Sequence, residues 1–144
     1  MIQRIQSIFL LIAAVAFGLL FRFPFAASDK ATGTLLEDRV FDLFDHPILL
    51  VLAGLGALLA VINIFMFRKR SLQMRLNIIL IILNVFLIIT AAVLFYNDAS
   101  TMGTVEVQDR AGLYMPIIGL VLIILANVFI KKDDKLIRSS DRLR

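Results

Sequence analysis

Residues 76–96 read LNIILIILNVFLIITAAVLFY, a run without Asp, Glu, Lys or Arg. At a rise of about 1.5 Å per residue, a helix of this length spans the roughly 30 Å hydrocarbon core of a bilayer. Three further runs share this character, namely 5–21, 47–67 and 113–130. Because lipid offers no hydrogen-bonding partner, each run must satisfy its own backbone as a helix. The sequence therefore predicts an all-α integral membrane protein, a four-helix transmembrane bundle.

The composition supports one membrane domain over residues 1–144. The chain is 60% hydrophobic and 18% charged, against about 45–50% and 25% in soluble domains. Four spans leave a cytoplasmic tail, 131–144, and no room for a separate soluble domain. The absence of cysteine excludes disulfides, thiolate metal ligands and thiol nucleophiles.

Basic residues are divided unequally between the two sides of the predicted membrane. Eleven of the 15 precede the first span, lie in 68–75 or lie in the tail, and four lie in the loops 22–46 and 97–112. The positive-inside rule therefore predicts that both termini are cytoplasmic. A cleaved signal peptide is the alternative for the first run. The run exceeds the usual apolar region of about 7–15 residues, which favours a retained span.

The two outer loops carry weaker signals. Residues 104–108 alternate polar and apolar side chains with β-branched enrichment, which predicts a short strand. In the first loop, Leu36, Val40 and Leu43 recur at helical spacing, whereas residues 32–34 resemble a turn or the start of a strand. A small sheet that pairs the two outer loops is the resulting prediction.

Polar side chains within the spans are candidate intramembrane contacts: Asn63, Asn84, Thr90 and Asn127. Counted from the cytoplasmic charges, the three asparagines lie at depths of roughly 6 to 14 Å on three helices. One interpretation is a polar cluster that lines a binding cavity. The other, which we prefer, is interhelical hydrogen bonding, at about 0.6 kcal/mol per bond.

Small residues predict a helix contact, and other residues predict where helices begin. Ala14 and Gly18 are four residues apart, as are Gly56 and Ala60, and such pairs predict close contact between the first two helices. Asp45 is predicted to cap the second helix beside His46, the only histidine. Pro47 and Pro116 are expected near helix starts. A metal site needs several ligands, and no metal or cofactor is predicted.

The cytoplasmic ends carry the candidate partner or lipid contacts: Arg4, Lys131, Lys132, Arg138, Arg142 and Arg144. Basic residues next to a span attract anionic head groups, and the mixed charges of the tail also suit a membrane or cytoplasmic protein partner. Nucleic acid binding is not predicted, because the tail has no aromatic residue for base stacking. The oligomeric state is left open.

The two ends, MIQRIQS (1–7) and IRSSDRLR (137–144), resemble a family of small four-span proteins of Bacteroidota known only as a domain of unknown function. The resemblance implies the bacterial inner membrane and transfers no site residues. With no carboxylate or cysteine in the spans, no enzyme activity is predicted. The expected function is a scaffold or accessory subunit that docks a partner or anionic lipid, with a small oligomeric transporter or channel as the alternative.

Overall fold

A computed structural model of the chain describes residues 5–31, 35–99 and 106–141, most of them helical. The helices are α1 (Ile5–Leu19), α2 (Pro47–Phe65), α3 (Arg70–Ala99) and α4 (Ala111–Asp141). Helices α2, α3 and α4 are long and apolar enough to cross a membrane, and α1 is a shorter apolar helix. The chain is therefore a mostly helical protein of the multi-pass membrane type, as the sequence predicts in outline.

Helices α3 and α4 extend beyond the predicted spans. A 3₁₀ turn, Met66–Arg68, follows α2, and the Lys69 amide donates to the Met66 carbonyl at 2.9 Å. Helix α3 begins at once with Arg70, so the turn is tighter than the predicted 68–75. Helix α4 continues through the predicted tail to Asp141. We call the end of the molecule that holds this turn the turn end.

Each helix buries one stripe of residues whose spacing alternates between four and three. In α3 the stripe runs through six fully buried or nearly buried positions: Gln73, Asn77, Leu80, Asn84, Leu87 and Ala91. Such spacing keeps one face turned toward neighbours that cross at a small angle. Helix α1 packs against α2 and α4, and α3 packs against the same two helices. The core therefore lies between the four stripes.

Gly56 allows α1 and α2 to approach closely. A Cβ atom at this position would lie 2.6 Å from Cε1 of Phe17, whose side chain is buried. A Cβ on Gly18 would meet nothing within 4 Å. The predicted contact between small residues thus consists of the Phe17 ring seated on Gly56, and Gly18 takes no part in it.

A three-stranded antiparallel sheet lies at the opposite end, which we call the sheet end. Its strands are β1 (Ala26–Ser28), β2 (Val40–Phe41) and β3 (Val107–Asp109), in the order β2-β1-β3. Ala26 pairs with Phe41 on one side and with Asp109 on the other. The predicted sheet between the two loops is confirmed, and β3 ends one residue beyond the predicted strand. Residues 32–34 and 104–105 lie outside the described residues.

The segment that contains Leu36, Val40 and Leu43 is not a helix, although the spacing of these residues is helical. Aspartate side chains hold it in turns. Asp38 Oδ1 accepts from the Val40 amide at 3.2 Å, and Asp42 Oδ1 accepts from the Phe44 amide at 2.6 Å. Bonds to the backbone two residues on favour turns over helix. Leu36 and Leu43 are buried nonetheless, so the apolar spacing reflects burial of a loop.

Two predictions about helix starts are wrong. His46 caps α2, because its Nδ1 accepts from the Ile48 amide at 3.3 Å. Asp45 instead accepts from the Asp42 amide at 2.6 Å, which holds the preceding loop. Burial raises the pKa of Asp45 to about 6. Pro116 lies inside α4, which already begins at Ala111, so its missing N–H interrupts the helix ladder.

Candidate functional site

Four amide side chains meet near the turn end, and we call them the amide cluster: Gln6, Asn63, Gln73 and Asn77. Gln6 Nε2 donates to Gln73 Oε1 at 3.3 Å, which joins α1 to α3. Asn63 Nδ2 donates to Asn77 Oδ1 at 3.1 Å, which joins α2 to α3. All four side chains are buried, with at most 3% of their surface exposed. The cluster therefore links three helices through side chains alone.

The same amides also reach the main chain of their neighbours. Gln73 Nε2 donates to the Asn63 carbonyl at 3.2 Å, one of the last carbonyls of α2. This carbonyl also accepts from the Met66 amide, so the Gln73 side chain adds a second hydrogen bond at the end of α2. Asn77 Nδ2 donates to the Ile123 carbonyl at 2.9 Å, which brings in α4. All four helices are thus tied together at one level.

Burial of amides among apolar side chains is unfavourable unless their polar atoms are hydrogen-bonded. The buried stripe of each helix places these residues inward: Gln6 on α1, Asn63 on α2, and Gln73 and Asn77 on α3. The bonds compensate for the burial, although Asn63 Oδ1 has no partner among the described residues. Because amides do not titrate, the cluster fixes helix positions and cannot relay protons.

Three members of the amide cluster were missed by sequence reasoning. Gln6 lies at the start of the first predicted span, Gln73 lies before the third, and Asn77 lies inside the third. The signal was present in the spacing. Gln73, Asn77 and Asn84 are four and seven residues apart, which places them on one helix face in a 3.5-residue repeat.

The other two predicted asparagines do not join this cluster. Asn84 is fully buried, and its Nδ2 donates to the Pro116 carbonyl at 2.9 Å. Seven residues separate it from Asn77, roughly 10 Å along α3. Asn127 is partly exposed, with a buried Oδ1 that has no described partner. The three predicted residues therefore occupy three separate environments.

An ion pair joins α3 to α4 at the turn end. Arg70 Nη2 lies 3.1 Å from Asp133 Oδ2, and Nη1 donates to the Asp133 carbonyl at 3.5 Å. Asp133 Oδ2 lacks the geometry of a hydrogen bond, so the contact is mainly a charge attraction. The side chains of Arg70 and Asp133 are only 17% and 10% exposed, so solvent screens the pair less than a surface pair.

Comparison with known proteins identifies one family. The model for a domain of unknown function, DUF4293, matches residues 2–143. The chain belongs to the DUF4293 family. No curated protein and no solved structure matches it.

The turn end of this DUF4293 protein carries a basic hollow at the start of α3. The hollow has a volume of about 430 Å³ and is lined by five consecutive or nearby residues: Lys69, Arg70, Ser71, Leu72 and Arg75. The N-terminus of α3 lies in the same wall, and a helix N-terminus favours anions. Arg70 is paired with Asp133, so the charges of Lys69 and Arg75, together with the Ser71 hydroxyl, suit an anionic group.

Helix α4 adds further cations to the turn end. Lys131, Lys132 and Lys135 are exposed, and Asp133 between them is turned inward to Arg70. Of the other predicted contacts, Arg4, Arg142 and Arg144 lie outside the described residues. Arg138 lies within the helical part of the tail. The structure thus places the described basic residues of 69–75 and 131–135 on adjoining helices.

Proposed function

We propose that this protein is a non-enzymatic four-helix bundle of the bacterial inner membrane, with both termini in the cytoplasm. Its turn end docks anionic lipid head groups and thereby serves as a scaffold or accessory subunit. The basic hollow is the observation that carries this proposal. Lys69, Arg70 and Arg75 line it. The charge of Arg70 is offset by Asp133, so Lys69 and Arg75 carry the attraction for an anion.

The hydrogen bonds and the ion pair at the turn end support a docking role. The amide cluster and the Arg70–Asp133 pair hold α3 and α4 together directly beneath the hollow. The ion pair holds the Arg70 side chain, and a charge held in place binds with a smaller loss of conformational freedom than a mobile one. The exposed lysines Lys131, Lys132 and Lys135 of the predicted tail extend the same surface, and Arg138, Arg142 and Arg144 remain predicted contacts.

The transporter or channel alternative receives no comparable support. Asn63 and Asn84 are fully buried, and the amide nitrogen of each donates to a neighbouring helix. Residues packed in this way stabilise the contact between helices. An aqueous path would instead place such amides against water.

The test compares charge removal at the two ends of the molecule. One variant carries Lys69→Gln and Arg75→Gln, and the matched control carries Arg22→Gln and Lys30→Gln, both exposed near the sheet end. Native mass spectrometry of the full chain in detergent measures the binding of phosphatidylglycerol. Each basic residue near an anionic surface is worth about 1 kcal/mol, so we expect a loss of roughly thirtyfold in the first variant.

The control is expected to bind phosphatidylglycerol like the wild type. Equal affinities of the two variants would refute the basic hollow as the docking site. A pull-down in mild detergent with the same variants separates the lipid from a protein partner. A protein retained by the wild type and lost only from the Lys69/Arg75 variant, with lipid binding unchanged, would replace lipid with protein as the occupant.

A further inference from the structure

A second cavity lies at the sheet end, between α3, α4 and the sheet. Its volume is about 420 Å³, within the roughly 300–1,000 Å³ of small-molecule sites. It is lined by Phe25 and Phe41 of the sheet region, by Ala91 and Ala92 of α3, and by Ile117 of α4. The small side chains of the two alanines leave the space open.

The aromatic side chains around the cavity are held in place and do not fill it. The rings of Phe25 and Phe41 lie 5.2 Å apart, and those of Phe41 and Phe95 lie 6.1 Å apart. Phe25 and Phe41 are 2% exposed and are fixed by the ladder, in which the Phe25 amide donates to the Phe41 carbonyl. The wall therefore cannot collapse without disturbing the sheet.

The open side of the cavity faces the apolar surface of α3 and α4. Ala92 and Ile117, which line it, are exposed, and the neighbouring Ile89 and Val93 are more than half exposed. On helices of this length and composition, such apolar faces lie in hydrocarbon. A lipid acyl chain that enters the cavity from the bilayer therefore crosses no polar barrier.

One charged group stands at the rim. Asp109 of β3 is exposed and is the only charged residue among the described lining residues. The neighbouring cation, Arg110, does not line the cavity, and its Nη2 donates to Gln108 Oε1 at 3.4 Å. A carboxylate at this place repels a phosphate-only head group and attracts an ammonium group.

We propose that this cavity holds one acyl chain of a phospholipid whose head group carries an ammonium, with the head group beside Asp109. Transfer from water does not drive the binding, because the bilayer is as apolar as the cavity. An unfilled cavity lacks van der Waals partners along its walls, and a lipid chain restores them. The site is independent of the basic hollow, which lies at the other end of the molecule.

The test fills the cavity from its open side. Ala92→Phe places a ring in the space that Ala92 leaves. Val93→Phe adds a ring to the next residue, which does not line the cavity. Native mass spectrometry of the full chain in detergent measures the binding of phosphatidylethanolamine and phosphatidylglycerol with identical 16-carbon chains. Melting temperatures by circular dichroism establish that both variants are folded.

We expect the wild type to retain one phosphatidylethanolamine in preference to phosphatidylglycerol. Ala92→Phe should weaken this binding at least tenfold, or about 1.4 kcal/mol, and Val93→Phe should leave it unchanged. Asp109→Asn should abolish the preference between the two lipids and leave chain binding intact. If Ala92→Phe fails to fold, Ala92→Leu is expected to give a smaller loss in the same direction.

Equal binding in Ala92→Phe and Val93→Phe would overturn the assignment of the cavity to an acyl chain. A preference for phosphatidylethanolamine that survives Asp109→Asn would overturn the role of Asp109. A dimer in the wild type that Ala92→Phe dissociates would also overturn the proposal, because the cavity would then be occupied by a second copy of the chain.

Discussion

Replacement of Asn77 by alanine is the most direct test of the amide cluster. The change removes the bond from Asn63 Nδ2 at 3.1 Å and the bond to the Ile123 carbonyl at 2.9 Å. Two interhelical bonds at about 0.6 kcal/mol each contribute about 1.2 kcal/mol. The Asn63 amide is left buried without this partner, which adds up to about 2 kcal/mol.

Alanine also has a higher helix propensity than asparagine, and this gain offsets roughly 0.5 kcal/mol. We therefore expect Asn77→Ala to lower the free energy of unfolding by about 1 to 3 kcal/mol. The measurement is equilibrium unfolding of the full chain in mixed micelles, followed by circular dichroism. The control is Ile78→Ala on the next, exposed position of α3, which removes no hydrogen bond.

A double-mutant cycle with Asn63→Ala isolates the bond between the two side chains. The combined variant should be less destabilised than the sum of the single variants, by about 0.6 kcal/mol for the bond and by up to about 2 kcal/mol more, because the Asn63 amide is no longer left without a partner. Additive effects, or an Asn77→Ala variant as stable as the wild type, would contradict the cluster as a stabilising contact between α2 and α3.

Three further perturbations follow from the sheet end. Gly112→Ala should cost about 2 to 3 kcal/mol, because its Cβ would lie 2.6 Å from the main-chain carbon of Pro24, whereas Gly54→Ala, which meets nothing within 4 Å, should not destabilise. Arg39 has a φ of 69°, so Arg39→Gly should raise the thermal midpoint, with a gain of about 0.5 to 1 kcal/mol, and Arg39→Val should lower it. The pKa of Asp45 is raised from 3.8 to about 6, so its ionisation opposes folding. The free energy of unfolding should therefore fall as the pH rises from about 4 to about 6 and level off above. Asp45→Asn should flatten this profile in thermal melts.

The sequence was sufficient to predict the apolar helices, because a hydrocarbon environment permits few other backbone conformations. The runs 47–67, 76–96 and 113–130 each coincide with a helix, since any other backbone would leave polar groups unsatisfied in lipid. The alternation in 104–108 likewise predicts a strand, and β3 (Val107–Asp109) shares Val107 and Gln108 with it. The extension of α4 to Asp141 was not predicted, because the charge of the tail marks the end of a span and leaves the end of the helix undefined.

The candidate sites were less accessible from the sequence. Lys69 and Arg75 were recognised only as topology signals, and their shared hollow depends on how sharply α2 turns into α3. Asp45 looked like a helix cap by type and position, but His46 stands one residue closer to the helix and caps it. The cavity at the sheet end has no sequence motif, because it arises where Ala91 and Ala92 oppose α4.

The sequence by itself therefore determined which apolar segments form helices and at which end the positive charge lies. These properties depend on local composition and on spacing along one segment. Only the tertiary structure decided that Asn63 pairs with Asn77, that Asn84 bonds the Pro116 carbonyl, and that Arg70 meets Asp133. The rotation and vertical register of each helix fix such partners, and both depend on the packing of all four helices at once.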